Sequence, residues 1–79
     1  MKTYSQLNKN IQNILTSMAR GEGDSYNIEH VVDEENVFTS FNPSPVERVD
    51  VGETALYIYR TTEEMQEIFY SDLVDIEEM

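Results

Sequence analysis

The distribution of charge constrains the fold of this chain more than any other feature. All sixteen Asp and Glu residues follow residue 21, where only Arg48 and Arg60 oppose them and the local charge is −14. The residues before that point include Lys2, Lys9 and Arg20 but no acid. Charge this dense destabilises a compact state through self-repulsion. We therefore expect an N-terminal element without acids to pack over an acidic remainder, and we expect the charge to serve binding.

The length and composition allow one small domain. A chain of 79 residues buries roughly 60 to 65 % of its unfolded surface, which is enough for one thin core. It has no Cys, so neither a disulfide nor a thiolate metal site reinforces it, and small domains of this kind often gain burial by self-association. We expect a single domain over residues 1–79 that forms a homodimer.

The first twenty residues have the apolar periodicity of an amphipathic helix. Gly21 follows the last apolar position and marks a helix end. The outward positions are mostly Asn and Gln, and Lys9 is the one charge among them. We predict a helix over residues 3–20 and a turn over residues 21–25. The apolar positions recur at intervals typical of one helix face and are Tyr4, Leu7, Ile11, Ile14, Leu15 and Met18.

Four short strands are predicted between residues 26 and 60. The first two lie at 26–32 and 37–41 and are joined by a hairpin tip at 33–36. Pro43 and Pro45 interrupt the pattern. A third strand is predicted at 46–51, and after a turn at Gly52 the residues 55–60 give the strongest strand pattern, because Ile, Tyr and Leu dominate it.

The C-terminal segment has the spacing of a second helix. Thr61 and Glu64 form a capping-box pattern, and apolar residues then recur at helical intervals as far as Ile76. We predict a helix over about 62–75. The fold class is then α+β, an antiparallel sheet of three to four short strands with an N-terminal and a C-terminal helix.

Four acids lie at or just beyond the C-terminal end of that predicted helix, where no Lys or Arg accompanies them. Carboxylates at a helix C-terminus oppose the macrodipole by about 0.3 to 1 kcal/mol each. A broken local rule of this kind is expected at functional sites, and a solvated acidic tail would give the same pattern. The four acids are Asp72, Asp75, Glu77 and Glu78.

The acids of the predicted strands suggest rows of negative charge. Residues 33–35 crowd three carboxylates into one tip, and Glu29, Glu47 and Asp50 lie on neighbouring strands. Alternate residues of a strand are about 6.6 Å apart on one face, and duplex DNA presents comparable rows with roughly one charge per 1.7 Å of axis. A protein with such rows can occupy a DNA-binding cleft. The alternative is that the acids only keep a small domain soluble.

The sequence contains no motif for catalysis, and we expect neither an enzyme nor a cofactor. A Ca²⁺ loop, a G-x-S-x-G motif and a phosphate-binding Gly loop are all missing. Glu29, His30 and Asp33 would hold a divalent ion only loosely, so we expect no metal site and interpret His30 as a solvent-facing structural residue. His30 is also the one ordinary candidate for a general base.

The aromatic residues favour either packing or an interface. Tyr57 and Tyr59 alternate on one strand face, where they would pack under the helices or form a contact patch, since Tyr buries area while keeping a polar tip. We expect Phe38, Phe41 and Phe69 in the core.

The N-terminus has no signal-peptide core, and no run of about 18 apolar residues occurs. We therefore expect a cytoplasmic protein, in the host cytoplasm if it is phage-encoded. Its charge of −11 repels nucleic acid and anionic lipid. The expected partner is a basic DNA-binding protein, with no direct contact to nucleic acid or membrane.

In its size, acidity, lack of Cys and α+β pattern, the chain resembles the small acidic proteins that bacteriophages make to disable host machinery. That group includes DNA mimics directed at nucleoid proteins of the HU class, restriction enzymes or CRISPR effectors. The resemblance rests on composition, so it assigns no role to any residue. It implies a DNA mimic that docks on a cationic DNA-binding surface and excludes DNA.

Our leading hypothesis is such a mimic, steered to its target by charge. A second hypothesis is an interaction module that inhibits or adapts a host enzyme or division protein through a tyrosine-rich apolar patch. A third is a regulator that masks a basic toxin. For the first, the candidate partner-binding residues are Asp33, Glu34, Glu35, Glu47, Asp50, Asp72 and Asp75.

Overall fold

Strands in two antiparallel sheets make up most of the regular secondary structure, in a computed structural model that describes residues 1–44, 46–61 and 64–79. Sheet 1 has the order β2-β1-β6 and sheet 2 the order β3-β4-β5. With one helix packed on these sheets, the α+β class is confirmed, but the strands form two sheets of three where the sequence predicts one sheet of three to four. The elements are α1 (Lys9–Ala19), β1 (Tyr26–Val32), β2 (Glu35–Phe41), β3 (Arg48–Val51), β4 (Ala55–Tyr59), β5 (Gln66–Phe69) and β6 (Leu73–Glu78), with 3-10 turns at Tyr4–Gln6 and Tyr70–Asp72.

The N-terminal helix is shorter than the sequence predicts. Leu7 and Asn8 are extended, and the Asn8 side chain caps α1 by accepting a hydrogen bond of 2.9 Å from the Ile11 N–H. The Gln12 side chain donates to the carbonyls of Tyr4 and Leu7, so the preceding turn is held by polar contacts and not by helix continuation. Gly21 ends the helix at a φ of 75°, as predicted.

The β1–β2 hairpin has a two-residue loop. Val32 pairs with Glu35, so only Asp33 and Glu34 lie in the turn, with φ values of 51° and 68°. Two successive residues with positive φ are the mark of a type I′ turn, whose twist matches the flanking strands. The predicted tip of four residues is therefore too long, because Glu35 already belongs to β2.

The predicted C-terminal helix is wrong within the described residues. Its first two positions, 62 and 63, lie outside the described residues. Pro45, predicted to interrupt the strand pattern, lies outside them as well. β5 pairs with β4, a turn follows at Tyr70, and β6 pairs with β1. The segment is rich in Ile, Val, Phe and Tyr, which suit strands. Strand formation also removes the conflict between a helix macrodipole and the acids at residues 72–78.

One core is shared by the inner faces of both sheets and by the apolar face of α1. Sheet 1 contributes Tyr26, Ile28 and Phe41, and β4 contributes Leu56 and Ile58. Side chains alternate along these strands, so the residues between them lie on the two outer faces. The outer faces of the sheets are consequently the surfaces on which the charged and aromatic candidates lie.

Candidate functional site

Three carboxylates lie together on the outer face of sheet 1. Glu29 alternates with the inward-facing Ile28 and His30 on β1, and it pairs directly with Asp75 on β6. Glu77 lies two residues farther along β6 and pairs with Asn27. We call Glu29, Asp75 and Glu77 the acidic face.

The acidic face surrounds a shallow surface pocket beside an exposed aromatic ring. Asn27 and Phe38 line this pocket together with the three carboxylates. Phe38 pairs with Glu29 on the side away from Asp75, so one row across the sheet runs Phe38, Glu29, Asp75. The Phe38 side chain is 63 % exposed. The pocket therefore offers negative charge around an apolar contact.

The arrangement of the acidic face works against stability. Directly opposed side chains of an antiparallel pair have Cβ atoms about 4.5 to 5.5 Å apart, and like charges there are destabilising. Glu29 accepts a hydrogen bond of 2.8 Å from the Asn36 side chain. Within residues 1–44, 46–61 and 64–79, the ion pairs found are those of Glu22 and Asp50, so none neutralises the acidic face.

The hairpin tip adds a second group of acids to sheet 1. Asp33 and Glu34 form the exposed turn and Glu35 begins β2. Asp75 and these three predicted candidates thus lie on one sheet. The residues that complete the acidic face, Glu29 and Glu77, are not among the candidates. Glu29 lies between two inward-facing residues of a predicted strand, and this alternation could have identified it as outward-facing. Glu77 could not be placed on this face without knowing that residues 73–78 form a strand.

The other three candidates lie elsewhere. Asp50 is on the outer face of sheet 2, where the Arg48 guanidinium lies 3.7 Å from its carboxylate. Glu47 precedes β3, and its N–H donates to the Ser44 hydroxyl. Asp72 is exposed in the turn before β6. The structure therefore does not bring the seven candidates together on one surface.

Sheet 2 has an outer face of a different kind. Tyr57 and Tyr59 lie on it, opposite the inward-facing Leu56 and Ile58, so they do not pack under a helix. Phe69 shares this face and is 39 % exposed. We call Tyr57, Tyr59 and Phe69 the tyrosine face. Of the three Phe residues predicted in the core, Phe41 is buried, but Phe38 and Phe69 are not, because both point outward from their strands.

Charges on the tyrosine face are paired with other groups. The Arg48 guanidinium carbon lies 4.6 Å from the centre of the Tyr59 ring, which is a cation–π contact. Tyr57 pairs across the sheet with Glu67, and burial together with this carboxylate raises the pKa of Tyr57. The phenol therefore stays protonated and able to donate a hydrogen bond.

His30 is buried, contrary to the solvent-facing position expected from sequence. Its side chain is 4 % exposed, and its Nε2 lies 2.8 Å from the Thr39 hydroxyl. Burial lowers the pKa of His30, and the Asp72 carboxylate partly opposes that effect. Glu29 points to the opposite side of β1, so these neighbours do not converge on one ion. Among the described residues, no group of three or more His, Cys, Asp or Glu is arranged to hold a metal.

Comparisons with protein-family models, with curated proteins and with solved structures find no match to this chain. Within the described part of the chain, no helix is long and apolar enough to cross a membrane.

Proposed function

We propose that the acidic face binds the basic DNA-binding surface of another protein and excludes DNA from it. The observation that supports this most directly is the pairing of Glu29 with Asp75, two like charges placed opposite each other with no basic partner among the described residues. An arrangement that costs stability is expected where a binding function requires it. This is the DNA mimicry that the resemblance to phage inhibitors implies.

The geometry of the face suits a cationic cleft. Asp75 and Glu77 are alternate strand residues, about 6.6 Å apart, and Glu29 adds a third charge beside them. The hairpin tip extends the negative surface along the same sheet. Long-range attraction between opposite charges accelerates association and weakens steeply as salt is added.

The first experiment is affinity capture from a bacterial lysate. Capture at about 0.1 M salt is compared with capture at about 1 M, between which the Debye length falls from about 10 Å to about 3 Å. We expect a DNA-binding protein that is retained at low salt and is released by high salt or by added duplex DNA. A salt-resistant partner that duplex DNA does not displace would contradict the proposal.

A pair of matched variants locates the surface. One combines Glu29→Gln, Asp75→Asn and Glu77→Gln, and each of these changes removes a charge with almost no change of shape. The control neutralises three exposed acids outside the face, with Asp24→Asn, Glu53→Gln and Glu64→Gln. Each variant removes three negative charges from the net −11. We expect only the first to lose the captured protein, and an equal loss in both would show that net charge alone is responsible.

The tyrosine face supports a second candidate, a module that binds a host enzyme or division protein through apolar contacts. Tyr57, Tyr59 and Phe69 form a partly exposed aromatic surface whose charges are already paired. Tyr is enriched at protein interfaces because it combines area with a polar tip. In this case Tyr57→Ala and Tyr59→Ala would abolish capture, neutralising the acidic face would not, and affinity would change little with salt.

A further inference from the structure

The two sheets have four edge strands, and β2 differs from the other three. An open edge offers unpaired backbone groups to another strand, and proteins usually protect it by shortness or by charge. β3 and β5 have four residues each, and β6 carries Asp75, Glu77 and Glu78. β2 has seven residues and one charge, Glu35 at its end. The acidity that covers this chain is therefore nearly absent along its longest edge.

The hairpin geometry identifies the backbone groups that face outward from β2. In a tight β-turn the residues that flank the loop exchange a hydrogen bond, and here these are Val32 and Glu35. Bonded and non-bonded pairs alternate along an antiparallel ladder, so the N–H and C=O groups of residues 36, 38 and 40 point away from β1. Arg60 agrees with this assignment, because its Nη2 donates to the Ser40 carbonyl at 3.1 Å.

We propose that β2 pairs with β2 of a second copy in antiparallel orientation, with the two Phe38 residues opposite each other on the dimer axis. The pairing joins two copies of sheet 1 into one six-stranded sheet. It gives partners to the outward-facing amides of β2, and it covers Phe38 with its counterpart. A chain with a net charge of −11 repels its own copy wherever acids face each other, and of the two long edge strands, β2 carries one acid and β6 carries three.

The register also provides a favourable charge contact. With Phe38 opposite Phe38, Ser40 of one copy faces Asn36 of the other, and Glu35 faces Phe41, so no like charges oppose each other along β2. Arg60, which is anchored on the Ser40 carbonyl, then lies beside the acidic tip of the other copy. The carbonyl oxygen has two lone pairs and can accept from both Arg60 and the facing Asn36 N–H.

The dimer would combine the two acidic faces on one surface. The row across the joined sheet would run Asp75, Glu29, Phe38 and then the same three residues of the second copy in reverse order. The two Glu29 residues are then separated by three strand spacings, or about 14 Å. The oligomeric state is measured without any target, so this inference and the proposed function can fail independently.

The experiment is sedimentation velocity on the full chain over a series from micromolar to millimolar concentration. We expect a species of twice the 9.2 kDa mass of the chain, and a wild type that stays monomeric throughout would overturn the inference. Phe38→Asp places two like charges on the dimer axis, so this variant should be monomeric. The control is Val46→Asp, which adds the same charge at an apolar side chain that is 64 % exposed and is not part of β2. It should dimerise as the wild type does.

A charge-exchange test fixes the register. Phe38→Asp and Phe38→Lys should each be monomeric alone and should form a heterodimer when mixed, because position 38 faces itself only in the proposed pairing. A Phe38→Asp protein that dimerises like the wild type, or a mixture that stays monomeric, would overturn the proposal. Amide hydrogen exchange gives an independent readout on the wild type. Exchange at Asn36, Phe38 and Ser40 should slow as concentration rises, whereas exchange at Val37 and Thr39 should not change.

Discussion

The outer faces of the two sheets differ in how their charges are arranged. On sheet 2, Arg48 contacts both Asp50 and the Tyr59 ring, so the charge of Asp50 is neutralised within the face. On sheet 1, Glu29 is opposite Asp75 and no cation accompanies them among the described residues. Both faces are built on three antiparallel strands over one core, so secondary structure does not account for the difference.

The two outer faces differ in whether their side chains stabilise the sheet. The tyrosine face resembles an ordinary half-buried surface, in which aromatic rings and paired charges stabilise the strands beneath them. The acidic face lacks such cross-strand stabilisation, and its opposed carboxylates have no basic partner among the described residues. A general need for solubility would be met equally well by acids spread over both faces. Acids without an ion pair occur elsewhere among the described residues, but Glu29 and Asp75 are the two that lie directly opposite each other, and the proposed binding function would explain that pairing.

The largest effect is expected when variants of the acidic face and of the tyrosine face are compared in a binding assay. With a captured basic protein, we expect the combined Glu29→Gln, Asp75→Asn and Glu77→Gln variant to raise Kd by about tenfold or more, a change of roughly 1.4 kcal/mol per decade. Tyr57→Ala with Tyr59→Ala should change Kd far less. Fluorescence anisotropy with labelled protein over a salt series provides the measurement. A larger loss of affinity in the tyrosine variant than in the acidic-face variant would contradict the assignment of binding to the acidic face.

The sequence predicts the elements that are determined by neighbouring residues. It does not predict the C-terminal strands, because their structure is determined by pairing with strands distant in sequence. Helix α1, the β1–β2 hairpin and β4 follow from local periodicity and turn chemistry. The spacing of Ile68, Phe69 and Ile76 fits a helix as well as two strands, and pairing with β4 and β1 decides between them. The same limit applied to the acids, because Glu29 and Asp75 are brought together only by that pairing.

Tyr70 lies in the turn between the last strand of sheet 2 and the last strand of sheet 1. We expect its hydroxyl to contribute to the stability of the fold that carries both faces. Its ring is buried, its hydroxyl donates to the Gly52 carbonyl at 2.7 Å, and its N–H donates to the Thr54 carbonyl. Tyr70→Phe removes this hydrogen bond to a half-buried carbonyl, which should lower the free energy of unfolding by about 0.5 to 1.5 kcal/mol. Urea denaturation measures this, with Tyr59→Phe on the tyrosine face as the control.

Alkaline pH provides a second test of the same residue. Burial, with smaller contributions from Tyr4 and Tyr57, raises the pKa of Tyr70 to about 12 from 10.0. The unfolded chain loses this proton first, so the stability from the neutral phenol is complete below pH 10 and is lost as pH rises towards 12. Tyr70→Phe should show a smaller alkaline loss than the wild type. Equal losses in both would assign the effect to other groups.

A smaller effect is expected from His30 on the inner side of sheet 1. The Thr39 hydroxyl accepts a hydrogen bond from Gln66 at 3.3 Å and can donate its proton to Nε2 of a neutral His30, from which it lies 2.8 Å. Since burial lowers the pKa of His30 below 6.5, the unfolded chain binds a proton first, and stability should fall as pH decreases below that value. The decrease should begin above the range near pH 4 in which unperturbed carboxylates titrate.

His30→Gln is the matched variant, because its amide oxygen can accept from Thr39 and does not titrate. Urea denaturation between pH 7 and pH 5 should show a decrease in the wild type that is reduced in this variant. The decrease should be small, since Asp72 partly offsets the desolvation of the ring. A variant with the same pH dependence as the wild type would contradict this assignment.

The smallest expected effect is the change in stability when one acid is neutralised on each of the two faces. Glu29→Gln keeps an acceptor for Asn36 but removes one of two opposed charges, so it should raise the free energy of unfolding by about 0.2 to 1 kcal/mol. Glu67→Gln on the tyrosine face changes the net charge equally, and Glu67 lies opposite a neutral Tyr57. We expect no gain from it. The gain from Glu29→Gln should shrink at about 1 M salt, where charges are screened within about 3 Å. Equal gains from the two variants would mean that the cost of acidity is spread over the whole molecule and not concentrated on the acidic face.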